Sequence, residues 1–228
     1  MESNFGARNT ILGAIRSALG ETQSADRIAA EYAALPRGYK RQGTLSEEER
    51  LWLFQHRLEE YGAGVRRVAG DGAGDRIKDQ IAVRLTARGC KRLVIPYGLP
   101  AAWLPAGFHF QPYGGSGASG VPLEPDALDR MDGVLTGCTV AIAETGSIIL
   151  QSGEQQGVRA LTLVPDYHLC VVFAEQVVET VPESFARLDA TSNLPTTFFS
   201  GPSATADIEM TRIKGVHGPR FLDVLLVG

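Results

Sequence analysis

Glu144, Thr145 and Ser147 put one carboxylate and two hydroxyls within four consecutive positions, with Gly146 among them. Such a set can serve as a general base, a cation ligand or a hydrogen-bonding cradle where water is scarce. The same residues also suit a plain hairpin turn whose polar groups satisfy their own backbone. A second set lies in GPSATADIEMTRIKGVHGP, residues 201–219. Pro202 and Ser203 read as a helix start, Asp207 and Glu209 as its early turns, Arg212 and Lys214 as its end, and Gly215 as the stop. Free N–H groups at a helix start, beside the hydroxyls of Ser203 and Thr205, make an anion site. Ordinary capping uses the same residue types. His217 stands among Gly215, Gly218 and Pro219, where glycine lets backbone approach a ligand closely. It reads as a general acid–base group or anion contact, or else as a loop-bracing hydrogen bond. Glu144 and His217 are thus the candidate catalytic pair. Thr145, Gly146, Ser147, Gly201, Ser203, Thr205 and Asp207 are the candidate ligand-binding set, Asp207 doubling as a helix-terminus charge. Arg159, Arg212 and Lys214 are candidate positive partners for an anion.

Other chemistries fail on spacing. A P-loop needs Gly-Lys, and the chain has no such pair. Gly115-Ser116-Gly117 is too short for a nucleophile elbow. Gly115, Gly117 and Gly120 match G-x-G-x-x-G formally, but Pro122 and Pro125 follow where a helix must open, so a loop is expected. The histidines, His56, His109, His168 and His217, form no i, i+4 pair, and no metal is expected. His168 opens an apolar strand and reads as a hydrogen-bonded core residue. Cys90, Cys138 and Cys170 are far apart, with no C-x-x-C, and read as buried inert thiols rather than ligands of an iron–sulfur cluster. No cofactor is implied.

The elements that must position these residues follow from periodicity. Residues 139–143 and 147–150 read as two strands of a tight hairpin about the 144–146 turn, apolar on both faces. Further strands are expected at 91–96, 160–164, 168–173, 196–199 and 221–227. Helices are expected at 9–19, 46–61, 75–88, 125–131 and 182–188. Ser46 with Glu49 forms a capping box for the second of these. Residues 21–44 read as a linker holding one helical turn, and residues 97–133 as loop-rich. Strand, helix and strand over 196–227 predict a parallel crossover, with ligands beyond the C-terminal strand ends near Gly201. The fold class is therefore α/β with a mixed sheet. Residues 1–45 read as a helical arm and linker, and 46–228 as the main domain.

Composition narrows the partners. Net charge is −4 from 22 basic and 26 acidic residues, with no basic stripe, so nucleic acid is not expected as a partner. No apolar run reaches the length of a membrane span. The opening MESNFGARNT lacks the apolar core of a secretory signal, so a cytoplasmic location is expected.

Four ordered segments carry a resemblance: AIAETGSIIL (141–150), LVPDYHLCVVF (163–173), GPSATADIE (201–209) and KGVHGP (214–219). Together they resemble the LUD domain family, in its lactate-utilization branch, from about residue 46 to the C-terminus. The resemblance implies a mixed-sheet sandwich similar to the NagB/RpiA/CoA-transferase-like fold, with an N-terminal helical extension. It also implies a place in a three-protein system that oxidises L-lactate to pyruvate. There the iron–sulfur partner proteins carry the electrons, and this chain would be a non-redox subunit binding a small anionic molecule. An independent transferase, isomerase or cyclo-ligase acting on a phosphorylated, CoA-linked or folate substrate is the alternative, with Glu144 as nucleophile or base. A purely structural subunit docking its partners through the N-terminal helices is a third reading. Whether the chain is an enzyme by itself stays open at this point.

Overall fold

The computed structural model describes residues 3–20, 24–70, 73–113, 124–205, 213–214 and 218–228. These divide into two compact units, residues 1–39 and 40–228. The first unit holds α1 (Ser3–Leu19) and α2 (Ala25–Ala34). The second of these is a ten-residue helix where a single turn was expected. Ser24 caps it by accepting from the Arg27 N–H, and Arg27 pairs with Glu31 one turn on at 2.9 Å.

The second unit opens with α3 (Glu47–Glu60), whose Ser46–Glu49 capping box is formed as the sequence dictates. Leu51, Phe54 and Leu58 recur at helical spacing and are buried. The chain continues through β1 (Gly64–Val68), α4 (Ala73–Arg88), β2 (Arg92–Pro96), β3 (His109–Tyr113), α5 (Pro125–Asp129) and β4 (Gly133–Thr136). Then come β5 (Val140–Ile142), β6 (Ser147–Gln151), α6 (Arg159–Leu163), β7 (Tyr167–Phe173), β8 (Val177–Val178) and α7 (Val181–Leu188). The chain closes with β9 (Thr196–Phe199), β10 (Ala204–Thr205), β11 (Ile213–Lys214) and β12 (Phe221–Val227).

Two sheets form the body. One has six strands in the order β1-β12-β7-β4-β2-β3, every neighbouring pair parallel. The other has four, β8-β5-β6-β9, with β5–β6 and β6–β9 antiparallel and β5–β8 parallel. The architecture is thus an α/β sandwich of a parallel and a mixed sheet. Side-chain alternation builds its layers. On β7, Cys170 and Val172 join Leu222, Val224 and Leu226 of β12, Ala141 of β5, Ile148 and Leu150 of β6, and the apolar face of α3 in one core. Leu169 and Val171 point the other way, into a second core with Ile77, Ile81 and Leu85 of α4. His168 shares the face of Cys170 and Val172 by the same parity, toward the mixed sheet.

Several sequence expectations need correction. Residues 160–164 are not a strand. Arg159–Leu163 is one helical turn, with Leu161 buried and Leu163 39% exposed. A short apolar run ahead of a proline does not distinguish the two by period. The parallel crossover over 196–227 is also absent. β9 belongs to the mixed sheet and β12 to the parallel one. Nor do the ends of the expected helix turn out helical. Ala204–Thr205 pairs antiparallel with Ile213–Lys214, setting Thr205 opposite Ile213, and β-branched residues favour such pairing. Two parallel-sheet edges escape the sequence reading. GVRRV (β1) has two arginines, and HFQPY (β3) has an internal proline that only an edge strand tolerates. The glycine cluster at 114–120 lies outside the described residues.

Candidate functional site

The two stretches singled out from sequence do meet. β6 and β9 pair antiparallel with Ile148 opposite Phe199, which brings Ser147 and Ser200 together just beyond. Thr145 Oγ1 donates to Ser147 Oγ at 2.7 Å, and Ser147 Oγ lies 2.6 Å from Ser200 Oγ. Gly146 and Gly201 flank this hydroxyl chain, both with positive φ, +59° and +83°. A side chain at Gly146 would stand 2.7 Å from Arg57 Cβ, and one at Gly201 would collide with Tyr61 Cβ. Both glycines therefore let the loops lie flat on the C-terminal end of α3.

Glu144 belongs to a different cluster. Its carboxylate takes the Lys40 ammonium at 3.1 Å, and its backbone N–H donates to Glu179 O at 3.0 Å. Glu179 is 3% exposed and also takes Lys40, together with the N–H groups of Thr44 at 2.6 Å and Leu45 at 2.7 Å. Burial pushes the Glu179 carboxyl up, but Lys40 and the two N–H donors outweigh it and hold the group below the usual range. Lys40 is raised in turn, by Glu179 first and Glu144 second. Gly43 has no room for a side chain, because a Cβ there would strike the Glu179 carboxylate. Residues 40–45 are thereby tied to the main body, and the Lys40, Glu144 and Glu179 side chains all have partners.

The concave site lies on the other side of the hydroxyl chain. It is a cleft of about 290 Å³, walled by Arg159 and Thr162 of α6, by β9 from Thr197 on, and by Ser200, Gly201, Ser203 and Pro219. His168 forms its floor and is 1% exposed. The imidazole Nε2 lies 2.7 Å from Thr136 Oγ1 on the adjoining strand β4. The ring of Phe199 packs against it at 5.0 Å. Nδ1 is buried and has no hydrogen-bond partner among the described residues. A buried polar atom left unpaired costs stability and calls for a physical reason. Arg159, exposed at the rim, has no carboxylate partner among the described residues. Ser203 is held in place by its N–H, which donates to Pro219 O at 2.8 Å. The cleft thus offers a cationic rim and hydroxyls over a buried imidazole floor, the equipment for a small anion.

The cleft lies where His168 stands at the start of β7 and Pro219 precedes β12, at the N-terminal edge of these parallel strands. Gly201, expected beyond a C-terminal strand end, follows the C-terminal end of β9, a strand of the mixed sheet. Gly201 and Ser203 line the cleft, and Thr145 and Ser147 connect to it through Ser200. Gly146 packs on α3, and Glu144 faces Lys40. Thr205 lies in the backbone of β10, while Asp207 and His217 lie outside the described residues. Pairing Thr136 with His168 requires strand order, which local sequence does not supply. The available signal was a titratable residue opening the otherwise apolar run HLCVVF.

Behind the cleft, Thr136 also approaches Cys170 Sγ at 3.7 Å. Cys90, Cys138 and Cys170 are all free and buried. Burial pushes the Cys90 thiol up to about 11, and Cys138 is held well above its ordinary value by its bond to Cys170 and by burial. Among the described residues, no three His, Cys, Asp or Glu side chains come together as a metal-holding group. Among the same residues, no helix is long and apolar enough to cross a membrane.

Residues 126–227, which carry the cleft and the hydroxyl chain, match the LUD domain. A "Lactate utilization protein C" of Deinococcus radiodurans is 42% identical over 186 residues, covering 81% of this chain and 82% of that protein. A protein of the same name from Halalkalibacterium halodurans is 33% identical over 100 residues, covering 41% of this chain and 43% of its own length. The crystal structure of a DUF162 family protein from Deinococcus radiodurans superposes with a TM-score of 0.67 at 38% identity, covering 81% of this chain and 100% of that one.

Proposed function

The chain belongs to the LUD domain family, and on that premise we propose that it serves lactate utilisation as a non-redox subunit whose cleft binds a small carboxylate. The role itself is supported by the relative that is 42% identical and bears the name lactate utilization protein C. The ligand class rests on one observation: a cleft rimmed by Arg159, which has no carboxylate partner among the described residues. Arg159 supplies the charge and bidentate fork that a carboxylate fits. Ser200, Ser203 and Thr162 supply hydroxyls around it.

Oxidation of lactate releases two electrons. The three cysteines include no C-x-x-C, and cluster chemistry falls to separate iron–sulfur partner proteins. In this reading the chain holds the acid and moves protons while its partners carry electrons.

The test is calorimetric titration of the purified protein with L-lactate and pyruvate, with thermal unfolding alongside. Acid at about 100 times its dissociation constant adds roughly 2.7 kcal/mol of stability, a readable shift in Tm. Binding that disappears in Arg159→Met supports the reading. Absence of any acid binding by the wild type contradicts it.

A further inference from the structure

We propose that the cleft carries an apolar subsite at Leu163, so that it takes monocarboxylates with an uncharged apolar tail and holds them more tightly than lactate. This rests on the reading of Arg159 as the carboxylate contact. It goes beyond that reading by naming what the ligand carries away from its charge.

The single helical turn α6 sets the arrangement. Arg159, Thr162 and Leu163 all line the cleft. They stand at i, i+3 and i+4, the spacing that puts three side chains on one face of a helix. Leu161, between them in sequence, takes the opposite face and is buried in a core with Val94, Leu128 and Val134. That burial fixes the rotation of the turn, so Leu163 is presented to the cleft and stays 39% exposed. Pro202 and Pro219, both half-buried, add apolar surface to the same cleft.

Length and charge then define the ligand. Cβ atoms one helical turn apart are about 5–6 Å from each other. In lactate a single carbon separates the methyl from the carboxylate, so an acid of that length held at Arg159 leaves Leu163 in water. Each further methylene laid on Leu163 and the prolines removes apolar surface from water on both sides and tightens binding. The cleft has the room. Its volume of about 290 Å³ is roughly ten times one water's share of the liquid, more than the six non-hydrogen atoms of lactate fill. Among the described residues lining it, Arg159 is the one Lys, Arg, Asp or Glu side chain. A second carboxylate at the end of the tail therefore meets no second cation and loses its hydration against Leu163.

The experiment uses three acids with one head group and different tails: L-lactate, L-2-hydroxyhexanoate and L-2-hydroxyglutarate. Each is titrated calorimetrically into wild type, Leu163→Ser and Leu163→Met. Leu163 is exposed, so neither substitution disturbs the core, and thermal unfolding checks this. In wild type, 2-hydroxyhexanoate is expected to bind about tenfold or more tighter than lactate, and 2-hydroxyglutarate no tighter than lactate. In Leu163→Ser the gain from the longer tail falls to within about threefold while lactate affinity is retained, and Leu163→Met keeps the gain. Equal binding of lactate and 2-hydroxyhexanoate by wild type overturns the inference and leaves the carboxylate site standing. So does an undiminished gain in Leu163→Ser, or 2-hydroxyglutarate binding as tightly as 2-hydroxyhexanoate. Failure of wild type to bind any of the three overturns both the inference and the carboxylate reading beneath it.

Discussion

Two clusters of chemically capable side chains lie on either side of the Thr145–Ser147–Ser200 hydroxyl chain, and they differ in how their polar atoms are used. Around Glu179, a buried carboxylate is met by an ammonium and two backbone N–H groups, and Glu144 shares the same lysine. At the cleft, Arg159 stands exposed at the rim with no carboxylate partner among the described residues, above the buried ring of His168. Paired buried charges hold a structure together, whereas unpaired polar atoms in a concavity leave interaction free energy for a ligand. Residue type alone would rank the Glu144 turn above the His168 cleft as a binding site. Partner accounting reverses that order.

The largest effect that sharpens this contrast is expected at Glu179. Glu179→Leu leaves the Thr44 and Leu45 N–H groups and Lys40 without their acceptor, at a cost of about 3 kcal/mol in urea unfolding. Lactate affinity stays unchanged. The pH dependence has a definite sign. The folded carboxyl is held below its ordinary value. Its contribution is therefore fully present above the unfolded pKa of roughly 4.3 and is lost as pH falls through the folded pKa. In Glu179→Leu the acid limb of the stability curve is correspondingly shallower.

Gly201→Ala comes next. It forces an L-residue to φ +83° and drives a methyl into Tyr61, costing about 2 kcal/mol of stability by thermal unfolding. The acid, where it still binds, does so through the same Arg159. A smaller effect, and a different one, is expected from Arg159→Met. It weakens lactate binding about tenfold, equivalent to about 1.4 kcal/mol, with stability unchanged within roughly 0.5 kcal/mol because the side chain is exposed. The smallest change is expected from Glu144→Gln, which removes a half-exposed ion pair worth at most about 0.5 kcal/mol and leaves binding as it was. A loss of binding in this variant with retention in Arg159→Met would invert the whole comparison.

What was legible in the sequence follows from locality. The 144–146 hairpin, the Ser46–Glu49 cap and the helix ending at Arg88 depend on residues a few positions apart, and each forms as read. That the 144–147 turn and the loop at Gly201 belong to one candidate set was legible from residue types, although the β6–β9 pairing that joins them is not local. The floor of the cleft was not. His168 and Thr136 are 32 positions apart and meet only because β4 and β7 are neighbours in the parallel sheet. The turn from strand to helix at 159–163 was hidden because five apolar-rich residues before a proline fit both periods. Glycine roles have two physical readings. Close approach to a ligand and close approach to a helix demand the same missing Cβ, and α3 is the partner here.

The central claim is that acid binds in the His168 cleft and not at the Glu144 turn. Parallel calorimetric titrations of L-lactate into Arg159→Met and Glu144→Gln test it most directly. The account predicts about tenfold weaker binding in the first and wild-type binding in the second. Wild-type binding in Arg159→Met with binding lost in Glu144→Gln would contradict it and return the site to the turn.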